Sequence, residues 1–176
     1  MKTPSPEKQL AGFIAKFTPS MAARIRAARK QMRKRLPGAV ELVYDNYNFF
    51  VIGYGPSERA SEAVFSLAAQ ASGIALCFLK GAGLPDPKRM LRGSGNVVRN
   101  IRLESDETLE QPEVLALIKA ALARAKPAID PDGSHRLVIR SVSAKQRPRR
   151  PVVKPEGKRT RPSNARESRR PAPARG

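Results

Sequence analysis

After Ser143 the chain stops supplying material for a core. Residues 144–176 hold twelve Lys or Arg, six prolines and two acids (Glu156 and Glu167), and no Leu, Ile, Met or aromatic residue. A segment of that composition buries too little apolar surface to offset the entropy of ordering it. Its prolines favour extended, solvated backbone. The folded part is therefore expected in residues 1–143, with a disordered Arg/Pro-rich basic tail over 144–176. A domain of that size needs no staple, and one Cys and one His leave no internal disulfide and no Cys/His zinc site. No apolar run approaches the roughly 18 residues of a membrane-spanning helix. The first residues, MKTPSPEKQL, lack the apolar stretch of a secretory signal. These features predict a soluble cytoplasmic protein with no membrane span.

Within 1–143 the hydrophobic period changes twice. Ser5-Pro6-Glu7 reads as a helix start, and Leu10, Phe13, Ile14 and Phe17 follow at helical spacing. Thr18-Pro19 repeats the signal for a second helix with Met21, Ile25, Ala28 and Met32 inward, ended by Leu36-Pro37-Gly38. Val40–Tyr44 and Phe49–Tyr54 then read as a hairpin around Asp45-Asn46. Ala63–Leu67 and Ile74–Leu79 suggest a second hairpin, although Ser61–Ala71 also suits a helix; Ile74–Leu79 is apolar enough for a strand buried on both faces. Val97–Leu103 alternates as a half-exposed strand, and Gln111-Pro112-Glu113 opens a last helix. Leu137–Ile139 is a short candidate strand. Runs of strands segregated from helices predict an α+β domain, its mostly antiparallel sheet packed against N-terminal and C-terminal helices.

The formal net charge is +19, divided almost evenly between the tail and the rest. Ser20–Leu36 holds seven Lys or Arg and no acid. Opposite its apolar stripe fall Arg26, Lys30, Arg33 and Lys34, with Arg24 and Arg35 near the stripe's edge. Such a face is either solvated or a phosphate-contacting surface. In the tail, Arg147, Arg149, Arg150, Lys158, Arg159, Arg161, Arg169 and Arg170 are candidate anion or nucleic-acid contacts. Without an aromatic residue the tail can neutralise phosphates but cannot stack bases. Gly93-Ser94-Gly95 reads as a turn, and Lys80, Arg92, Arg99 and Arg102 around it form a candidate anion-binding rim. Tyr44, Asn46 and Tyr47 make a polar-aromatic hairpin tip, a candidate ligand contact. His135 behind Asp130-Pro131-Asp132-Gly133 reads as incidental beside a turn, and Cys77 as core.

Three segments carry a family resemblance. They are the helices running into VELVYDNYNFFVIGYGP, the stretch IALCFLKGAGLPDPKRMLRGSGNVVRNIRL, and the helix EVLALIKAALARA. Phe13–Ala125 resembles the YdhG-like family of small bacterial domains, largely of unknown function. The resemblance implies a frataxin-like arrangement of helices against one sheet face. Some members have been proposed as iron chaperones, an activity that asks for clustered carboxylates. In this chain the helical segment is basic, Asn46-Tyr47-Asn48 replaces a frequent Pro-x-Phe, and Gln70-Ala71-Ser72 replaces a Lys-His pair. The combined expectation is a non-enzymatic YdhG-like domain without cofactor or metal, binding polyanions such as nucleic acid non-specifically through its tail. The alternatives are a frataxin-like iron-handling chaperone and a small-ligand-binding domain.

Overall fold

The computed structural model describes residues 3–152. Helix α1 spans Pro6–Ala15 and α2 spans Pro19–Arg35. Each starts on proline behind a capping hydroxyl: Ser5 Oγ accepts from Lys8 N at 3.4 Å and Thr18 Oγ1 from Met21 N at 3.3 Å. Arg33, Lys34 and Arg35 in the last turn of α2 suit the negative end of its dipole. Strands β1 (Val40–Asp45), β2 (Phe50–Gly55), β3 (Phe65–Gln70), β4 (Gly73–Phe78) and β5 (Arg99–Arg102) follow as an antiparallel meander. Helix α3 (Pro112–Arg124) then carries the chain to β6 (Arg136–Val142), which pairs parallel to β1. The result is a mixed six-stranded sheet, order β5-β4-β3-β2-β1-β6, with three helices: an α+β fold. No described helix is long and apolar enough to cross a membrane.

Strand alternation sorts the sheet into two faces. Val43, Ile52, Leu67, Leu76 and Ile101 stand in register across five strands, all buried. They form one core with Leu10, Ile14 and Phe17 before α2, with Ile25 and Met32 of α2, and with Val114, Leu117 and Ile118 of α3. The opposite row runs Tyr44, Val51, Ala68, Ala75, Arg102, and all of its members keep some exposure.

The expected second hairpin is present as β3 and β4, and the helical alternative for Ser61–Ala71 falls away because Phe65, Leu67 and Ala69 find β2 and β4 as partners. The strand expected to be buried on both faces is buried on one: Ile74, Leu76 and Phe78 face the helices, while Ala75 and Cys77 are half-exposed. Residues 144–152 are described, and Arg147 N donates to Tyr47 O at 2.8 Å, tying this stretch to the β1–β2 turn. The rest of the expected tail lies outside the described residues.

Gly38 links the turn after α2 to the loop before β6. A Cβ there would stand 1.8 Å from Asp130 O and 2.9 Å from Gly133 N, both backbone atoms that cannot swing aside. Gly38→Ala should therefore cost about 1–3 kcal/mol, the usual range for overpacking, read as a lower midpoint in urea unfolding. Gly12→Ala, where the new methyl meets nothing within 4 Å, should not lower it.

Candidate anion-binding cleft

Strand β1 reads Val-Glu-Leu-Val-Tyr-Asp, and alternation sends Glu41, Val43 and Asp45 to the helix side. Both carboxylates are fully buried, at 0% exposure. A buried carboxylate persists as an ion only with partners. Glu41 finds them in Arg29 of α2, whose Nε lies 2.9 Å from Oε1 and whose Nη2 lies 2.6 Å from Oε2. The same guanidinium grips Glu7 of α1 at 3.0 and 2.8 Å. His135, just before β6, places Nε2 2.9 Å from Glu41 Oε2. Burial pulls the Arg29 pKa down, but hydrogen bonds to Glu41 and Glu7 outweigh it and hold the guanidinium above its ordinary value. The bond to Arg29 likewise holds the Glu7 carboxyl below its usual range. Tyr54 stands opposite Glu41 in β2, and burial, reinforced by the Glu41 charge, pushes its phenol well up. Its buried hydroxyl has no hydrogen-bond partner among the described residues.

Asp45, at the other end of β1, is held by Lys16 Nζ at 2.5 Å and by Arg149 Nη2 at 2.9 Å. Arg149 also donates to the carbonyls of Asn48 and Asn46 at 3.0 and 2.5 Å and lies 5.8 Å from the Phe17 ring. It is buried, so it is a structural pin rather than the anion contact the tail reading makes of it. Arg147 lies 5.7 Å over the Tyr47 ring, and Arg150 donates to Lys16 O at 3.2 Å. Lys158, Arg159, Arg161, Arg169 and Arg170 lie outside the described residues.

The seven cations of α2 divide into two sets. Arg24 donates to the carbonyls of Leu103 and Glu104, Arg29 is clamped by Glu7 and Glu41, and Arg35 holds Leu109 O and Glu110. Arg26, Lys30 and Lys34 have no hydrogen bond or ion pair among the described residues. Arg33 has only a loose approach to Glu7 at 3.8 Å and one to His135 Nδ1 at 3.4 Å. These four, with Arg29, Pro37 and His135, line an open cleft of about 430 Å³. The walls are cationic, and the carboxylate beneath them is already neutralised. Such a cleft suits a multiply charged anion.

The other candidate residues do not converge. Arg99 is spent on the carbonyls of Gly95 and Val98, and Arg102 on Ser72 O and Glu104. Lys80 lines a narrow recess against α3, while Arg92 and Arg102 border the exposed sheet face. At the hairpin tip, Asn46 Oδ1 accepts from Ser141 Oγ at 2.8 Å. Tyr44 is half-buried in β1, and Tyr47 is half-exposed under Arg147. Cys77 is half-exposed on the open face rather than core, and burial pushes its thiol up. Sequence reasoning missed Arg29, Glu41, Tyr54 and His135. The one available signal was Glu41 and Asp45 inside an otherwise apolar strand, at positions that share a face with Val43.

Among the described residues no three His, Cys, Asp or Glu gather as a metal site would need. Comparisons with protein-family models, curated proteins and solved structures find no match.

Removing one partner of a buried ion pair typically costs 3–5 kcal/mol. Glu41→Ala should therefore destabilise the protein by about that much in urea unfolding, because it leaves Arg29 without its buried partner. Replacing both residues by apolar ones, Glu41→Leu with Arg29→Met, should recover most of the loss. Glu7 carries a pH signature of its own. Its folded pKa is depressed, so its contribution is present above the ordinary value near 4.5 and is lost as pH falls through the lower folded value. The stability of Glu7→Gln, read by urea unfolding at a series of pH values, should accordingly vary less with pH across that window.

Proposed function

We propose that this protein is a non-enzymatic polyanion-binding module that holds the phosphate backbone of nucleic acid without reading sequence. The observation that carries the reading is the division of the α2 cations. Three are consumed by the fold, and Arg26, Lys30, Arg33 and Lys34 are left around one cleft. Cations gathered on one helix face, with only the loose approach of Arg33 to Glu7 to offset them among the described residues, repel one another, and an external anion relieves that repulsion. The sequence beyond the described residues carries further Lys and Arg, the residue types that neutralise phosphates. In this reading the chain is a YdhG-like domain with a frataxin-like arrangement. Three helices and a largely antiparallel sheet agree with that in outline, and the three sequence segments named above are its support.

The test is duplex-DNA binding by the full chain across a salt series. Log affinity should fall linearly with log salt, at about −0.9 per phosphate neutralised. Replacing Lys158, Arg159, Arg161, Arg169 and Arg170 by Gln should remove the larger part of the affinity. Replacing Arg26, Lys30, Arg33 and Lys34 by Gln should flatten the slope by up to roughly 3–4, at about 0.9 per cation. Fixed and random sequences should bind alike. Salt-independent binding, or no response to either set of substitutions, would remove this reading.

A further inference from the structure

The two ring nitrogens of His135 face opposite chemistry. Nε2 lies 2.9 Å from the Glu41 carboxylate, and Nδ1 lies 3.4 Å from Nη2 of Arg33. A carboxylate only accepts and a guanidinium only donates. A hydrogen on Nε2 satisfies the carboxylate, and a lone pair on Nδ1 suits the guanidinium. The charged groups around it are Glu41 on β1, Arg29 and Arg33 on α2, and Glu7 on α1, with the Tyr54 phenol of β2 beside Glu41. Arg26, Lys30 and Lys34 share its cleft. On its own segment, Asp130 Oδ1 accepts from Asp132 N and Arg136 turns to Glu58.

We infer that the cleft binds a phosphodiester together with one proton, and that His135 holds that proton. This rests on the polyanion reading above and gives it a specific donor. A phosphate oxygen entering beside Arg33 is an acceptor, so a neutral ring would oppose it lone pair to lone pair across Nδ1. A protonated ring donates from both nitrogens, to Glu41 on one side and to the phosphate on the other. Arg33 opposes a positive ring, and a phosphate that neutralises Arg33 lifts the opposition. Phosphate therefore raises the proton affinity of His135, and by reciprocity the proton raises phosphate affinity.

The probe is single-stranded oligothymidylate of twelve nucleotides, in which neither the phosphodiester nor the base titrates near neutrality. Full-length protein is titrated calorimetrically near pH 7 in two buffers of different ionisation enthalpy, and affinity is followed from pH 8 down to pH 6. The expected result is net proton uptake of up to one per protein, with affinity rising on acidification by at most about tenfold per pH unit. His135→Gln keeps an N–H for Glu41 but cannot titrate. It should lose the proton uptake and weaken binding at pH 6 far more than at pH 8. Arg33→Gln supplies a second check: with the opposing cation gone, the free ring is already more protonated, so uptake at pH 7 should shrink. Binding without proton uptake, or uptake that survives both substitutions, would overturn the inference while leaving the polyanion reading in place. Absence of oligothymidylate binding at low salt would remove both.

Discussion

Two carboxylates on one strand organise this molecule. Glu41 and Asp45 are both fully buried on the helix side of β1, separated by Val43. Leaving either charge unpaired there costs several kcal/mol, so each end of β1 must recruit cations, and it recruits them from far along the chain. Glu41 draws in Arg29 of α2, which in turn clamps Glu7 of α1, and it draws in His135 from the approach to β6. Asp45 draws in Lys16 from the end of α1 and Arg149 from beyond β6. One strand thus ties both N-terminal helices and the C-terminal edge of the sheet. Hydrophobic burial drives the collapse, but it is non-directional; the ion pairs fix which residues meet.

The same arrangement separates structural charge from free charge. A helix with seven cations and no acid is self-repelling in isolation. Neutralising Arg29 through carboxylates, and directing Arg24 and Arg35 onto backbone carbonyls, removes three of those charges from the repulsive set. The remaining four then sit over the Glu41 end of β1 without being held by it. The buried acid is shielded beneath Arg29, so it does not repel an anion as an exposed acid would.

Much of the fold was legible in the sequence, for identifiable reasons. Both N-terminal helices announce themselves through a hydroxyl cap followed by proline, a local signal that tertiary context rarely overrides. The first hairpin follows from β-branched and aromatic runs around a turn. The segment 61–71 stayed open between helix and strand because short apolar runs carry little period, and only its neighbours β2 and β4 decide it. Docking of residues 144–152 was hidden for a different reason. Composition reports how much apolar surface a segment can bury, whereas this stretch is held by polar contacts: the Arg149 guanidinium among Asp45 and two turn carbonyls, Arg147 N on Tyr47 O, and Arg150 on Lys16 O. The other four cleft-lining cations of α2 could be grouped by helical angle, but Arg29 could not be told from them, because its distinction lies in a partner twelve residues away on a strand.

His135 shows why the floor of the cleft required the topology. The residue is preceded by turn-forming sequence, and nothing local marks it as more than a loop histidine. Its role depends on the direction of β6. Because β6 runs parallel to β1, with Arg136 registered against Val40, the residue entering β6 arrives beside the start of β1 and meets Glu41. An antiparallel last strand would deliver that residue to the opposite end, next to Asp45, and Glu41 would keep Arg29 alone. The parallel pairing in turn needs a crossover long enough to span the sheet, and α3 supplies it between the β5 edge and the β1 edge. The approach to β6 then packs its turn against Gly38, where a side chain of any size would hold it off. A histidine at the mouth of a basic cleft is therefore a product of sheet order, crossover and one close backbone approach, none of which is written in the residues around it.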